Sequence, residues 1–408
     1  MSSILIIGNG FDLYHKLPTG YKDFLFFTRH WSEFKEKYDE QEKSEDNKAD
    51  ELMNVRLGSR NELTSESLND FAKYAYMYSK EHIVFLDNHI QENAWLEYFQ
   101  TITLPGQNWI DFEEEIYRAL LQVELIFTEI VAMSDESIIP WGKLPYQIRV
   151  LIRYFFNFKE RQLNRYYRFV VKWDALKDDS VGKWSALQDA NQEDRNQIKA
   201  QLLDFMKDEL DILNKCLAYY LLEFVSKINC GVYSEQIKNL GDVCLLNFNY
   251  TYTFSTVYRN SILVQHHFIH GEAKEENLVL GISDESFVDS MDYIYFQKFF
   301  QRIQKKTGNF YKRWLKDDRF NVYIMGHSLN KVDKGVLQDF FLDETHVPCI
   351  TIFYHSQSGY ENLIINLVDM FGREYVIDQT GRERIVFEEL KPPVKGELSI
   401  TCPTSETI

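Results

Sequence analysis

The feature that most constrains this chain lies in its first dozen residues. Residues 3–7 are an apolar, mostly β-branched run, and they pass without a spacer into Gly8-Asn9-Gly10-Phe11-Asp12. Such a run suits a strand buried on both faces, and glycines directly after it permit a turn too tight for a Cβ. A strand that feeds a helix through a glycine turn is the opening unit of an open parallel α/β sheet. There the N–H groups of the helix start favour a phosphate. The third glycine of the dinucleotide fingerprint is absent, because Leu13 stands in its place. The motif therefore reads in two ways. It is either a nucleotide cradle in which Gly8, Asn9, Gly10, Phe11 and Asp12 meet the ligand, or a tight turn with Asp12 capping the helix. Its position on the first strand favours the cradle.

Strand-like runs return only after residue 240, at 243–248, 262–269, 278–282, 320–325 and 348–354. Between about 65 and 230 the pattern is helical. Its clearest stretch is 194–228, where Leu203, Met206, Leu210, Leu213, Leu217, Tyr220, Leu221, Phe224 and Ile228 recur at steps of three and four. A second helical pattern covers 145–173, and 177–194 reads as a polar connector. Residues 35–65, rich in Lys, Glu, Asp, Asn and Ser, read as exposed helix or loop. The expectation is an α/β chain with a Rossmann-like, mostly parallel sheet. Residues 1–30 plus 240–390 form the nucleotide-binding domain, 31–239 are an inserted helical domain, and 391–408, with Pro392, Pro393 and Pro403, are a peripheral tail.

Charge and cysteine usage narrow the function classes. Lys and Arg number 45 against 62 Asp and Glu, a net charge of −17, which on average repels a phosphate backbone and does not favour nucleic acid. Cys216, Cys230, Cys244, Cys349 and Cys402 are scattered, with no zinc-ribbon spacing. An odd, scattered set suits a reducing compartment. No signal-peptide pattern and no apolar run near the roughly 20 residues of a membrane span is present. The expectation is a cytoplasmic protein with no membrane contact and no metal.

Three further motifs stand at predicted strand ends. In Asn247-Phe248-Asn249-Tyr250-Thr251 an asparagine can bond a ribose hydroxyl or hold a water; the plainer alternative is a turn in which Asn247 or Asn249 bonds its own backbone. In His270-Gly271 the imidazole can exchange protons near neutral pH, with glycine leaving room beside it. His266 and His267 crowd the same strand, but no carboxylate or cysteine stands at metal-ligand spacing. In Gly326-His327-Ser328-Leu329-Asn330, with Asp333 just beyond, small and polar groups can line a nucleotide pocket, or Ser328 or Asn330 can cap a helix. The acidic stretch Asp111-Phe112-Glu113-Glu114-Glu115 reads first as a helix start. The sharper alternative has Asp111 or Glu114 reaching the pocket, with Trp109 stacking on a base.

The combination of Ile-Ile-Gly-Asn-Gly-Phe-Asp, Asn247 to Thr251, His270-Gly271, Gly326 to Asn330 with Asp333, and Trp109 to Glu113 resembles the bacteriophage abortive-infection AbiH family. That resemblance implies a defensive, toxic output and a phage-derived trigger, and leaves an oligomer open. The motif order is more distantly similar to that of sirtuin-like domains, including NAD-consuming antiphage effectors. This similarity implies that Gly8 and Gly10 match the phosphate turn, Asn249 the strand-end asparagine, His270 the catalytic base, and Gly326 and Ser328 the adenosine-side turn. Asn247, His327, Gly271 and Asp333 fall among the cofactor contacts. Asn247 stands where the motif threonine would be, and the four-cysteine module of deacylating sirtuins has no counterpart, which points to hydrolysis of NAD itself as substrate. The expected reaction breaks the nicotinamide–ribose bond, with His270 as base and Asn249 holding water and ribose. The rivals are a nuclease or nucleic-acid-modifying toxin using the basic, aromatic stretch 298–313, and a nucleotide-binding sensor without turnover.

Overall fold

The opening run forms strand β1 (Ser2–Ile7), and Ile4, Leu5, Ile6 and Ile7 are wholly buried. The structure is a computed structural model that describes residues 2–41, 52–102, 111–130, 140–144, 189–258, 263–283, 285–287, 290–316 and 319–396, with positions 146, 149, 185 and 187. The remaining strands are β2 (Val232–Tyr233), β3 (Val243–Asn247), β4 (Leu263–Phe268), β5 (Phe320–Met325), β6 (Cys349–Tyr354), β7 (Ile385–Glu389) and β8 (Val394–Lys395).

Six of these form one sheet in the order β4-β3-β1-β5-β6-β7, and every pairing in it is parallel. Counted by chain order within the sheet, that is 3-2-1-4-5-6, the order of a doubly wound, Rossmann-like α/β fold. The topological switch point lies between β1 and β5, where Ile4 stands opposite Val322 and Ile7 opposite Met325. The period-two geometry of a strand divides β1 between two layers. Ile4 and Ile6 pack with Val336, Leu337, Phe340 and Leu367 of the helices Lys334–Phe341 and Gln357–Phe371. Leu5 and Ile7 pack on the other face with Phe11, Phe254 and Tyr258.

Between β1 and β3 the chain is mainly helical and builds its own large core. The predicted stretch 194–228 is a helix over Gln192–Tyr219, continued by a π-turn at Tyr220–Phe224 and a 3-10 turn at Val225–Lys227. Leu210, Leu213, Leu217, Tyr220 and Phe224 are buried there with Phe24, Phe27, Trp31, Phe34, Trp95 and Phe99. Phe112 stacks between Phe99 (4.1 Å) and Tyr21 (4.2 Å), which fixes the start of the helix Phe112–Leu125. Each such pair contributes about 1 kcal/mol beyond its buried area. The helical pattern at 145–173 and most of the connector 177–194 lie outside the described residues.

One expected strand needs correction, and one observed strand has no counterpart among the expectations. Residues 278–282 add no strand to the sheet: Leu278, Leu280 and Ile282 pack into the helical core, Val279 N–H donates to the His270 carbonyl (2.7 Å), and Ile282 forms a single bridge with Gln297. Four apolar side chains around Gly281 mark burial, and periodicity alone does not separate an extended segment from a strand. Conversely β7, Ile-Val-Phe-Glu-Glu, gives a weak apolar signal because it is a half-exposed edge strand. The tail begins with β8, paired antiparallel to β2; residues 397–408 lie outside the described part.

At the switch point the turns after β1 and β5 touch backbone to backbone. Gly10 N–H donates to the Gly326 carbonyl (2.8 Å), and Gly8 N–H to that of Met325 (3.2 Å). Gly326 has a φ of +72°, and a Cβ there would sit 2.0 Å from the Phe11 nitrogen. Gly326→Ala should therefore destabilise the protein by about 3 kcal/mol or more. Gly142→Ala, at a site with nothing within 4 Å, should be near neutral. Denaturant midpoints of the two variants check this, and an unchanged Gly326→Ala midpoint would refute the contact.

Candidate functional site

The parallel sheet delivers all four motif turns to its carboxyl edge: Gly8 to Asp12 after β1, Asn247 to Thr251 at the end of β3, His270-Gly271 after β4, and Gly326 to Asp333 after β5. Open α/β sheets bind ligands at this edge, beside the switch point.

Asp333 is the hub. Its Oδ1 lies 3.1 Å from His270 Nε2, within ion-pair distance though off the axis a hydrogen bond needs. Its Oδ2 lies 3.3 Å from His327 Nε2. The Leu329 N–H donates to His327 Nδ1 (2.9 Å), so in the neutral ring the proton sits on Nε2, facing the carboxylate. Phe248 stands edge-on between the two imidazoles, at 5.2 Å from His270 and 4.3 Å from His327. Lys298, the first residue of the helix Lys298–Gln304, donates to Asp333 Oδ1 (3.0 Å) and pairs with Glu113 Oε1 (2.9 Å). The ammonium keeps 1% of its side-chain surface exposed, against 12% for Asp333 and 15% for Glu113.

These contacts set the charge states. Burial pulls Lys298 down, but Asp333 and Glu113 outweigh it and hold the ammonium above its ordinary range. Burial would raise Asp333, yet Lys298 and then His270 hold it well below the usual carboxylate range. Burial, reinforced by Lys298 and opposed by Asp333, lowers His270 to about 4. Burial raises Glu113 to about 7 against the pull of Lys298, with Asp333 and Asp111 adding to the rise. At neutral pH the site thus holds a neutral imidazole beside an ionised aspartate, whose charge would stabilise the ring if it gained a proton.

A second polar cluster lies under the glycine turn. Asp12 is buried; its Oδ2 accepts from the Thr251 hydroxyl (2.6 Å), while its Oδ1 has no partner. Asn249 Nδ2 donates to the Gly8 carbonyl (3.0 Å), tying the β3 turn to the β1 turn. Asn247 shapes its own turn, accepting from Asn249 N–H (2.8 Å) and donating to the Thr251 carbonyl (3.0 Å). Burial lifts Asp12 to about 6, against the hydrogen bonds of Thr251, Thr253 and Asn249.

The sequence candidates thus fall into distinct surroundings. Gly8, Gly10, Asp12, Asn249, His270, Gly326, His327 and Asp333 gather on the carboxyl edge, and Asp333 turns both its oxygens to protein groups. Phe11 directs its ring into the apolar layer beside His15 and Phe254. Asn9 accepts from the Thr19 hydroxyl (2.6 Å), and Ser328 is exposed. Gly271, at φ +79°, lets the Asn277 carbonyl pass where a Cβ would sit 2.2 Å away. Asn330 caps the short 3-10 turn Lys331–Asp333. His267 packs beside Tyr311 and bonds the Thr307 carbonyl (2.8 Å).

Sequence reasoning missed Glu113 and Lys298. Helix phase could have found the first: Asp111 is the N-cap, accepting from Glu113 and Glu114 N–H, and Glu114 pairs with Arg118, so Glu113 is the acid aimed inward. Trp109 lies outside the described residues. Lys298 had been grouped with the basic stretch. That stretch is largely engaged within the protein: Lys305 bonds the Leu278 carbonyl, Lys312 pairs with Asp339 (2.9 Å), and Arg313 lies over the Phe310 ring (5.7 Å). Among the described residues no three His, Cys, Asp or Glu converge to hold a metal ion, and no helix is long and apolar enough to cross a membrane.

A family model described as Bacteriophage abortive infection AbiH matches residues 4–355. No curated protein and no solved structure gives a significant match.

The Asp12 geometry makes a signed prediction. Its folded value, about 6, lies above the ordinary 3.8. The folded state therefore holds that proton more tightly, and the resulting stability is present below about pH 4 and lost as pH rises through 6. Asp12→Asn removes the penalty of burying the charge. Its melting temperature should equal the wild type's at about pH 4 and exceed it at about pH 8, by roughly 2 kcal/mol of stability. No gain at the higher pH would show that the carboxylate ionises there without strain.

Proposed function

The chain belongs to the bacteriophage abortive infection AbiH family, and from that premise we propose that it is an antiphage effector that hydrolyses NAD at the nicotinamide–ribose bond. The observation that carries this reading is the pairing of neutral His270 with ionised Asp333 at the carboxyl edge of a doubly wound sheet, beside the glycine turns of its switch point.

In this reading NAD lies across the switch point, with its pyrophosphate at the turn Gly8 to Asp12 and its adenosine side toward Gly326, His327 and Ser328. Nicotinamide leaves as a neutral molecule and the anomeric carbon takes on oxocarbenium character, as in glycoside hydrolysis. His270 accepts a proton from a ribose hydroxyl, and Asp333 stabilises the imidazolium that forms. With a pKa near 4 the ring is a weak base but is neutral throughout the physiological range. Asn249 commits its amide nitrogen to Gly8, so its oxygen is the atom that meets ribose or water.

Purified protein incubated with NAD should release nicotinamide and ADP-ribose, followed by chromatography. His270→Ala should slow release by about 10²–10⁴-fold, the usual contribution of a general base, while retaining NAD binding. Because His270 stays neutral down to about pH 4, its protonation should not depress the rate between pH 5 and 8. Tight binding without release by the wild type would mean a nucleotide sensor. Neither binding nor release would end this reading.

A further inference from the structure

We propose that Glu113, brought to the sheet's carboxyl edge by the helical region, is a second catalytic residue of this site and takes the proton of the attacking water. The inference rests on the NAD-hydrolase reading and assigns a step that His270 leaves open.

The placement is the first argument. Glu113 stands in the first turn of the helix Phe112–Leu125, held there by the Asp111 cap and by Phe112 stacked between Tyr21 and Phe99. From that position it reaches the ammonium that also grips Asp333, so two carboxylates flank Lys298 at 2.9 and 3.0 Å. The ammonium between them is covered, while each carboxylate keeps an open edge.

The second argument is asymmetry. Asp333 faces Lys298, His270 and His327, three groups that favour its charge. Among the described residues, Lys298 is the cation that Glu113 faces. Its other neighbours are Asp333, its own cap Asp111, and the phenols of Tyr21 from the helix Tyr21–Arg29 and Tyr250 from the β3 turn. A pair of carboxyls driven apart in this way divides the labour of a site: one stays ionised and the other exchanges protons near the working pH. Here Asp333 is the fixed charge and Glu113 the exchanging group.

The step balances. The C1′–N bond breaks, with its electron pair leaving on nicotinamide, and a water oxygen bonds to C1′. The water's proton passes to the Glu113 carboxylate, which returns it to solvent. His270 takes the ribose hydroxyl's proton as the cation develops and returns it to that oxygen once water has added, so the ring ends neutral as it began.

The test compares wild type, Glu113→Gln and Glu113→Asp for NAD binding, melting temperature and the pH dependence of nicotinamide release. In parallel, infrared difference spectra follow the carboxyl stretch of unliganded protein across neutral pH. The expected result is a wild-type rate that rises with pH around 7. Glu113→Gln should bind NAD, melt like the wild type at about pH 5, where the native carboxyl is protonated, and turn over about 10²-fold slower, without that rise, and Glu113→Asp should recover part of the rate. Glu113→Gln turning over at the wild-type rate overturns the proposal and leaves the NAD reading intact. If the wild type releases no nicotinamide, the NAD reading fails, and the spectra decide the role of Glu113. A protonated carboxyl lost near pH 7 in wild type and missing from Glu113→Gln then shows that Glu113 exchanges its proton there, while the hydrolytic step assigned to it falls with the NAD reading. No such band overturns that exchange as well.

Discussion

Two backbone turns in direct contact organise the molecule. β1 and β5 lie side by side at the one place where the winding of the sheet reverses, and their turns meet with Gly10 N–H on the Gly326 carbonyl. Any Cβ at Gly326 would enter the Phe11 nitrogen. Three groups on the carboxyl edge are placed from these two turns. Asn249 reaches the Gly8 carbonyl, His327 follows Gly326 directly, and Asp333 ends the segment that the β5 turn begins. The glycines thus serve the approach of one turn to another before they serve any ligand.

The buried charge network joins the helical region to the sheet. Taking Lys298, Asp333 and Glu113 out of water costs several kcal/mol per ion, which a buried pair recovers only with good geometry and further hydrogen bonds. Apolar residues of similar size would hold the two regions together at least as well. A network of this composition is therefore weak grounds for stability and better grounds for a site, since it also sets one imidazole neutral, one carboxylate ionised and one carboxyl near 7. It makes the site composite. The edge of the sheet supplies the histidines and Asp333, and the helical region supplies Glu113.

How much of this was legible follows from the range of each signal. The first strand, its turn and the return of strands after residue 240 were readable because hydrophobic runs and glycines are local. The long helix was readable from its period. The segment 278–282 was misread because burial against helices and burial in a sheet leave the same apolar run, and β7 was missed because an edge strand needs few apolar residues. Among site residues, those sitting at strand ends were visible as motifs. Lys298 and Glu113 were not, because each lies in a charged stretch whose other members face solvent or neighbouring groups.

The sequence by itself determined the class of fold, the glycine turn on the first strand, the histidine and glycine motifs at strand ends, and the likeness to a family. These depend on residues near one another in the chain. Only the tertiary structure decided that four turns share one edge, that Asp333 turns to two histidines, and that an acid near the start of the chain faces a lysine 185 positions later. The reason is physical. Strand order and helix phase place residues that no local pattern connects, and a side chain's charge state is set by burial and by partners that exist only once the chain has folded.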